Sequence, residues 1–73
     1  MPNAKELLRF LRKHGYEETR QRGSHRILIH SARSMLSVPI HSGDVPRGLF
    51  LRILKDAGFS EEDFLGGRRK GKA

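Results

Sequence analysis

Cysteine is absent from the 73 residues, which excludes disulfide staples, thiol catalysis and cysteine-ligated zinc. Four histidines remain, without carboxylates at ligand spacing, so neither a metal site nor a cofactor is expected. No run of about 18 apolar residues occurs, which excludes a transmembrane helix. The opening MPNAKELLRF also lacks the continuous apolar stretch of a signal peptide. The expected compartment is the cytoplasm, with no membrane partner. Acidic residues are scarce: 8 Asp and Glu stand against 15 Lys and Arg, for a net charge of +7. That excess favours polyanionic partners, nucleic acid or an acidic protein surface, without setting the fold. Residues 66–73 alone hold +4 of it, which leaves +3 for residues 1–65. The length fits one small domain, in which only about 60% of the chain's surface is buried on folding. Hydrophobic residues make up 36%, but they cluster, as in a folded domain with a solvated tail rather than a disordered chain.

Asn3 followed by Glu6 reads as a capping-box variant. Ala4, Leu7, Leu8 and Leu11 then share one helical face, and Arg12 and Lys13 suit the dipole of the last turn. Gly15 is a natural stop, so a helix is expected over about 4–14. Tyr16–Gln21 and His25–His30 flank a Gly23-Ser24 turn and read as a hairpin. The centre of the second stretch, Ile27-Leu28-Ile29, is apolar on both parities and does not reveal its core face. In Met35–Ile40, Leu36, Val38 and Ile40 share one face, and Pro39 points to an edge or strand end. Residues 41–47 carry loop chemistry. A second helix is expected over about 48–57, with Leu49, Phe50, Ile53, Leu54 and Ala57 as its apolar face. Ser60 and Asp63 mark a short third helix to about Leu65. Gly66 onward reads as a flexible basic tail, so the expected organisation is one domain over 1–65 and a tail over 66–73.

Arg20-Gln21-Arg22-Gly23-Ser24-His25-Arg26 places three arginines around one histidine on a tight turn. An RNA phosphodiester is cleaved when its own 2′-hydroxyl attacks phosphorus. That step needs a group that titrates near neutral pH, the property of histidine. It also needs donors for the charge that builds on phosphorus, which arginine supplies in planar pairs. Gly23 removes side-chain bulk and opens the turn to close approach. A solvated charged hairpin explains the same residues without chemistry.

The chain resembles the HicA toxin family, the YcfA-like mRNA interferases. The resemblance rests on Lys5-Glu-Leu-Leu with His14-Gly15-Tyr16, on Gly23-Ser24-His25, on Val38-Pro39-Ile40-His41 and on Gly48-Leu-Phe-Leu-Arg52-Ile-Leu-Lys55-Asp-Ala-Gly58. These four stretches span about residues 4–59 in the family's order. The resemblance implies an α+β fold like a double-stranded-RNA-binding domain, α-β-β-β-α, with a three-stranded antiparallel sheet and helices on one face. It implies an mRNA endoribonuclease toxin of a type II toxin–antitoxin system, independent of metal, that inhibits translation. Its catalytic histidine maps onto His25. It also implies a HicB-type antitoxin as partner, the toxin being a monomer when free and a hetero-oligomer with the antitoxin. Gly48-Leu49-Phe50 stands where the family often has Gly-Thr-Leu, so a potential capping hydroxyl is missing at that helix start.

Arg20, Arg22, Gly23, Ser24, Arg26, Arg52 and Lys55 are the expected RNA contacts, and His41 is a candidate second titrating group. His14 and His30 read as structural or solvated. The alternatives are a non-catalytic RNA-binding module of the same fold and an interaction protein whose cations only match an acidic partner.

Overall fold

Asn3 caps the first helix as its sequence position suggests: its side-chain oxygen accepts from the Glu6 N–H at 2.8 Å. Helix α1 (Ala4–Lys13) then buries Ala4, Leu7, Leu8, Phe10 and Leu11, a stripe of helical period. In the computed structural model, which describes residues 3–40 and 44–69, the chain continues through β1 (Glu17–Arg22), β2 (His25–Ile29), β3 (Leu36–Pro39), α2 (Arg47–Ala57) and α3 (Glu61–Arg69). The strands form one antiparallel sheet in the order β1-β2-β3. This is the small α+β arrangement expected, like a double-stranded-RNA-binding domain.

Gly23 and Ser24 form a two-residue hairpin loop between the paired Arg22 and His25. Gly23 has φ +60°, as the primed turns that match strand twist require at their first central residue. The register slips once in β1, between Glu18 and Arg20, so Thr19 is the extra residue of a bulge. Pro39 ends β3 on the sheet's edge, where its missing N–H costs no ladder bond.

Pairing resolves the ambiguous face of β2. Leu28 lies opposite Leu36, and Arg26 opposite Val38; Leu28, Leu36 and Val38 are buried. Arg26 and Leu28 therefore face the helices, while His25, Ile27 and Ile29 face away. The helices cover only the first face. Phe10, Phe50, Phe59 and Phe64, the chain's four phenylalanines, meet there edge to face. Phe64 lies 5.2 Å from Phe10 and 5.0 Å from Phe50 between ring centroids, and Phe10 lies 5.1 Å from Phe59. Val45, in the stretch read as loop, is fully buried beside an isolated bridge between Asn3 and Asp44.

Two expectations shift. Leu49 is 37% exposed, because it sits about a quarter turn off the stripe of Phe50, Ile53, Leu54 and Ala57. Helix α3 continues to Arg69 rather than stopping near Leu65. Its start is a reciprocal capping box: Asp63 N–H donates to Ser60 Oγ at 3.1 Å, and Ser60 N–H donates to Asp63 Oδ2 at 2.9 Å. Gly66 and Gly67 weaken a helix by about 1 kcal/mol each relative to alanine but do not forbid it. Residues 70–73 of the expected tail lie outside the described residues, as does His41.

Candidate active site

His25 is the first residue of β2, the central strand, and it is exposed. It pairs with Arg22 on β1 and with Pro39 on β3. One row along, Arg20 and Ser37 flank Ile27. Directly paired residues hold their Cβ atoms about 5 Å apart on a common face. The open face of the sheet therefore carries Arg22, His25 and Pro39 in one row and Arg20, Ile27 and Ser37 in the next. Arg20 and Arg22 are exposed, and the hydrogen bonds and ion pairs found among the described residues leave both guanidiniums free to meet a ligand.

The tight turn fixes this geometry. Ser24 O accepts from the Ile40 N–H at 2.8 Å, and Gly23 O accepts from Gln21 Nε2 at 3.0 Å. The turn is thus tied to both outer strands. Nothing lies within 4 Å of where a Cβ on Gly23 would stand, so the approach to the turn is open.

Arg26 points the other way. Its guanidinium donates to Glu18, which also accepts from Arg12, so one carboxylate joins α1, β1 and β2. Burial raises the Glu18 pKa, but the hydrogen bonds and charges of Arg26 and Arg12 outweigh it and hold the group below its ordinary value. Arg52 and Lys55 are exposed on α2, on the side opposite its buried stripe. They border a shallow groove of about 500 Å³ with Gly48, Leu51 and Asp56. Of the expected RNA contacts, Arg20 and Arg22 lie on the open sheet face and Arg52 and Lys55 on the outside of the helical layer, while Arg26 lies on neither, its guanidinium being committed to Glu18 between the layers. Strand alternation alone separates His25 from Arg26; it also brings in Ile27, Ser37 and Pro39, which sequence reading did not connect with His25.

The remaining described histidines are structural. His14 Nδ1–H donates to Phe10 O at 2.9 Å, and its ring packs on Phe10 and Phe59. His30 Nδ1 accepts from the Ala32 N–H at 2.9 Å, which puts its proton on Nε2, the donor to His14 O at 3.0 Å. Among the described residues no three His, Asp or Glu side chains gather as a metal-holding group, and no helix is long and apolar enough to cross a membrane.

The family model for the HicA toxin of bacterial toxin–antitoxin systems matches residues 4–59. The chain belongs to the HicA toxin family. Comparison with curated proteins finds no match. Toxins of the HicA family generally cleave mRNA, and membership implies an antitoxin partner. The matched span holds the whole sheet, α1 and α2, and therefore His25 and every arginine around it. Helix α3 lies beyond it.

Proposed function

We propose that this HicA-family chain is a metal-independent mRNA endoribonuclease whose catalytic residue is His25. The carrying observation is the open-face row in which His25 stands exposed between Arg22 and Pro39, with Arg20 one row along. His25 acts as general base toward the 2′-hydroxyl or as general acid toward the leaving 5′-oxygen. The 2′-oxygen bonds to phosphorus as the bond to the 5′-oxygen breaks. The products are a 2′,3′-cyclic phosphate and a 5′-hydroxyl, and water carries the second proton transfer. Arg20 and Arg22 hold the phosphate and its developing charge, and the bare turn at Gly23 and Ser24 admits the backbone. Arg26 positions β2 from the helix side through Glu18. Arg52 and Lys55 add contacts to more distant RNA phosphates, and the basic residues after Gly67 add sequence-independent affinity. A HicB-type antitoxin covers the His25 face, so the toxin is a monomer when free and part of a hetero-oligomer when neutralised, in the cytoplasm where mRNA is translated.

Expression of the chain alone should arrest growth and translation, and co-expression of its antitoxin should restore both. Purified protein should cut a long RNA in EDTA. RNA retention with steep salt dependence and no cleavage products would instead mark a non-catalytic binding module.

A further inference from the structure

The open sheet face is not uniformly basic. Its β1 side presents Arg20 and Arg22 beside His25 and Ile27 and the exposed carboxylate of Glu17 beside Ile29, its centre presents Ile27 and Ile29, and its β3 side presents Ser37 and Pro39. Ile29 is 43% exposed; Met35, on the parity of Ser37 and just before β3, is 66% exposed. The half-buried Ile27 and open Ile29, with two cations beside the His25 and Ile27 rows and Glu17 closing the far end, are complementary to a short ligand with anionic charge along one edge at Arg20 and Arg22 and flat apolar surface along the other. A single-stranded nucleic acid has that form: phosphates on one side, base faces on the other. A duplex does not, because its base faces are stacked inside.

The geometry points to a base platform: Ile27 and Ile29 seat the unpaired bases next to the scissile phosphate, and the Ser37 hydroxyl meets the edge of the base lying on Ile27. This rests on the ribonuclease reading and adds the strandedness of the substrate and the residues that select it. With the phosphates along Arg20 and Arg22, the base of the nucleotide at His25 falls one row away, over Ile27. Ser37 is exposed and directly across from Ile27, and a hydroxyl both donates and accepts. Ile27 and Ser37 are thus specificity residues, distinct from the proton-transfer group.

The test uses the full chain and one unstructured RNA of about 30 nucleotides, alone or annealed to its complement. Wild type should cut the single strand and leave the duplex at least tenfold slower. Ile27→Ser, checked for unchanged thermal unfolding, should raise KM about five- to twentyfold with the same pH–rate profile. Ser37→Ala should alter the ranking of cleavage positions along the strand. In the His25→Ala background, Ile27→Ser should weaken single-strand binding by the same factor. Equal cleavage of duplex and single strand, or unchanged KM and cleavage positions in both variants, would overturn the platform while leaving the ribonuclease intact. Loss of antitoxin binding by Ile27→Ser with RNA binding unchanged would also overturn it, marking a protein-docking surface. Absence of RNA cleavage by wild type would instead defeat the underlying reading.

Discussion

Single side chains in this protein hold contacts that span elements, and their removal should be measurable. Glu18 joins Arg12 of α1 to Arg26 of β2. Its pKa is depressed in the fold, so the stabilisation is fully present above the ordinary carboxylate range and is lost as pH falls through the folded value. Glu18→Gln should lower stability by about 1 kcal/mol at pH 7, and the difference from wild type should shrink in denaturant titrations as pH falls below the ordinary carboxylate range. Tyr16 is buried, and its hydroxyl donates to Ser34 O at 2.6 Å. Burial raises the phenol's pKa, with Arg33 opposing and Asp56 adding to the rise. Tyr16→Phe leaves the Ser34 carbonyl without this donor and should cost about 1 kcal/mol. Gly15 has φ +99°, and a Cβ there would lie 2.8 Å from His30 Nε2. Gly15→Ala therefore combines backbone strain with loss of the His30–His14 bond, and it should destabilise more than Tyr16→Phe in the same titrations.

At the scale of elements, α3 is a structural addition to the family-matched span. Phe64 is 4% exposed and fills the angle between Phe10 and Phe50. Phe64→Ala should cost about 3–5 kcal/mol, a large share of the roughly 5–15 kcal/mol that holds a typical domain. Leu65→Ser, at a position 47% exposed, should leave the melting temperature nearly unchanged. The elements were largely legible because their signals were local: the Asn3 cap, the Gly23-Ser24 turn, Pro39 at a strand end and the Ser60–Asp63 box. What depended on partners was not. Ile27-Leu28-Ile29 is apolar on every position, and only the pairing of Leu28 with Leu36 selects the buried one. Val45 is core because a bridge between Asn3 and Asp44 carries it inward, a contact with no sequence period. Leu49 fits an apolar count but not the angle of the stripe. The Gly66-Gly67 pair signalled a stop that the capping box and the docking of Phe64 outweigh.

The whole molecule has two charged surfaces separated by its two layers. Arg20 and Arg22 lie on the open sheet face, and Arg52 and Lys55 lie outside the helices. His25 and its arginines stood out as a run in the sequence, but the sorting of Arg26 away from them followed only from strand alternation. If both surfaces meet RNA phosphates, Arg20→Ala with Arg22→Ala should lower the slope of log Kd against log salt by about 1.4, and Arg52→Ala with Lys55→Ala by a similar amount. Only the first pair should also reduce kcat, because only those cations stand beside His25. In the proposed mechanism His25 performs the proton transfer of RNA cleavage. The decisive experiment is cleavage of a long RNA in EDTA by purified His25→Ala protein, alongside its thermal unfolding. The variant should lose at least a hundredfold in rate with an unchanged melting temperature; undiminished cleavage by the folded variant would refute the assignment of His25.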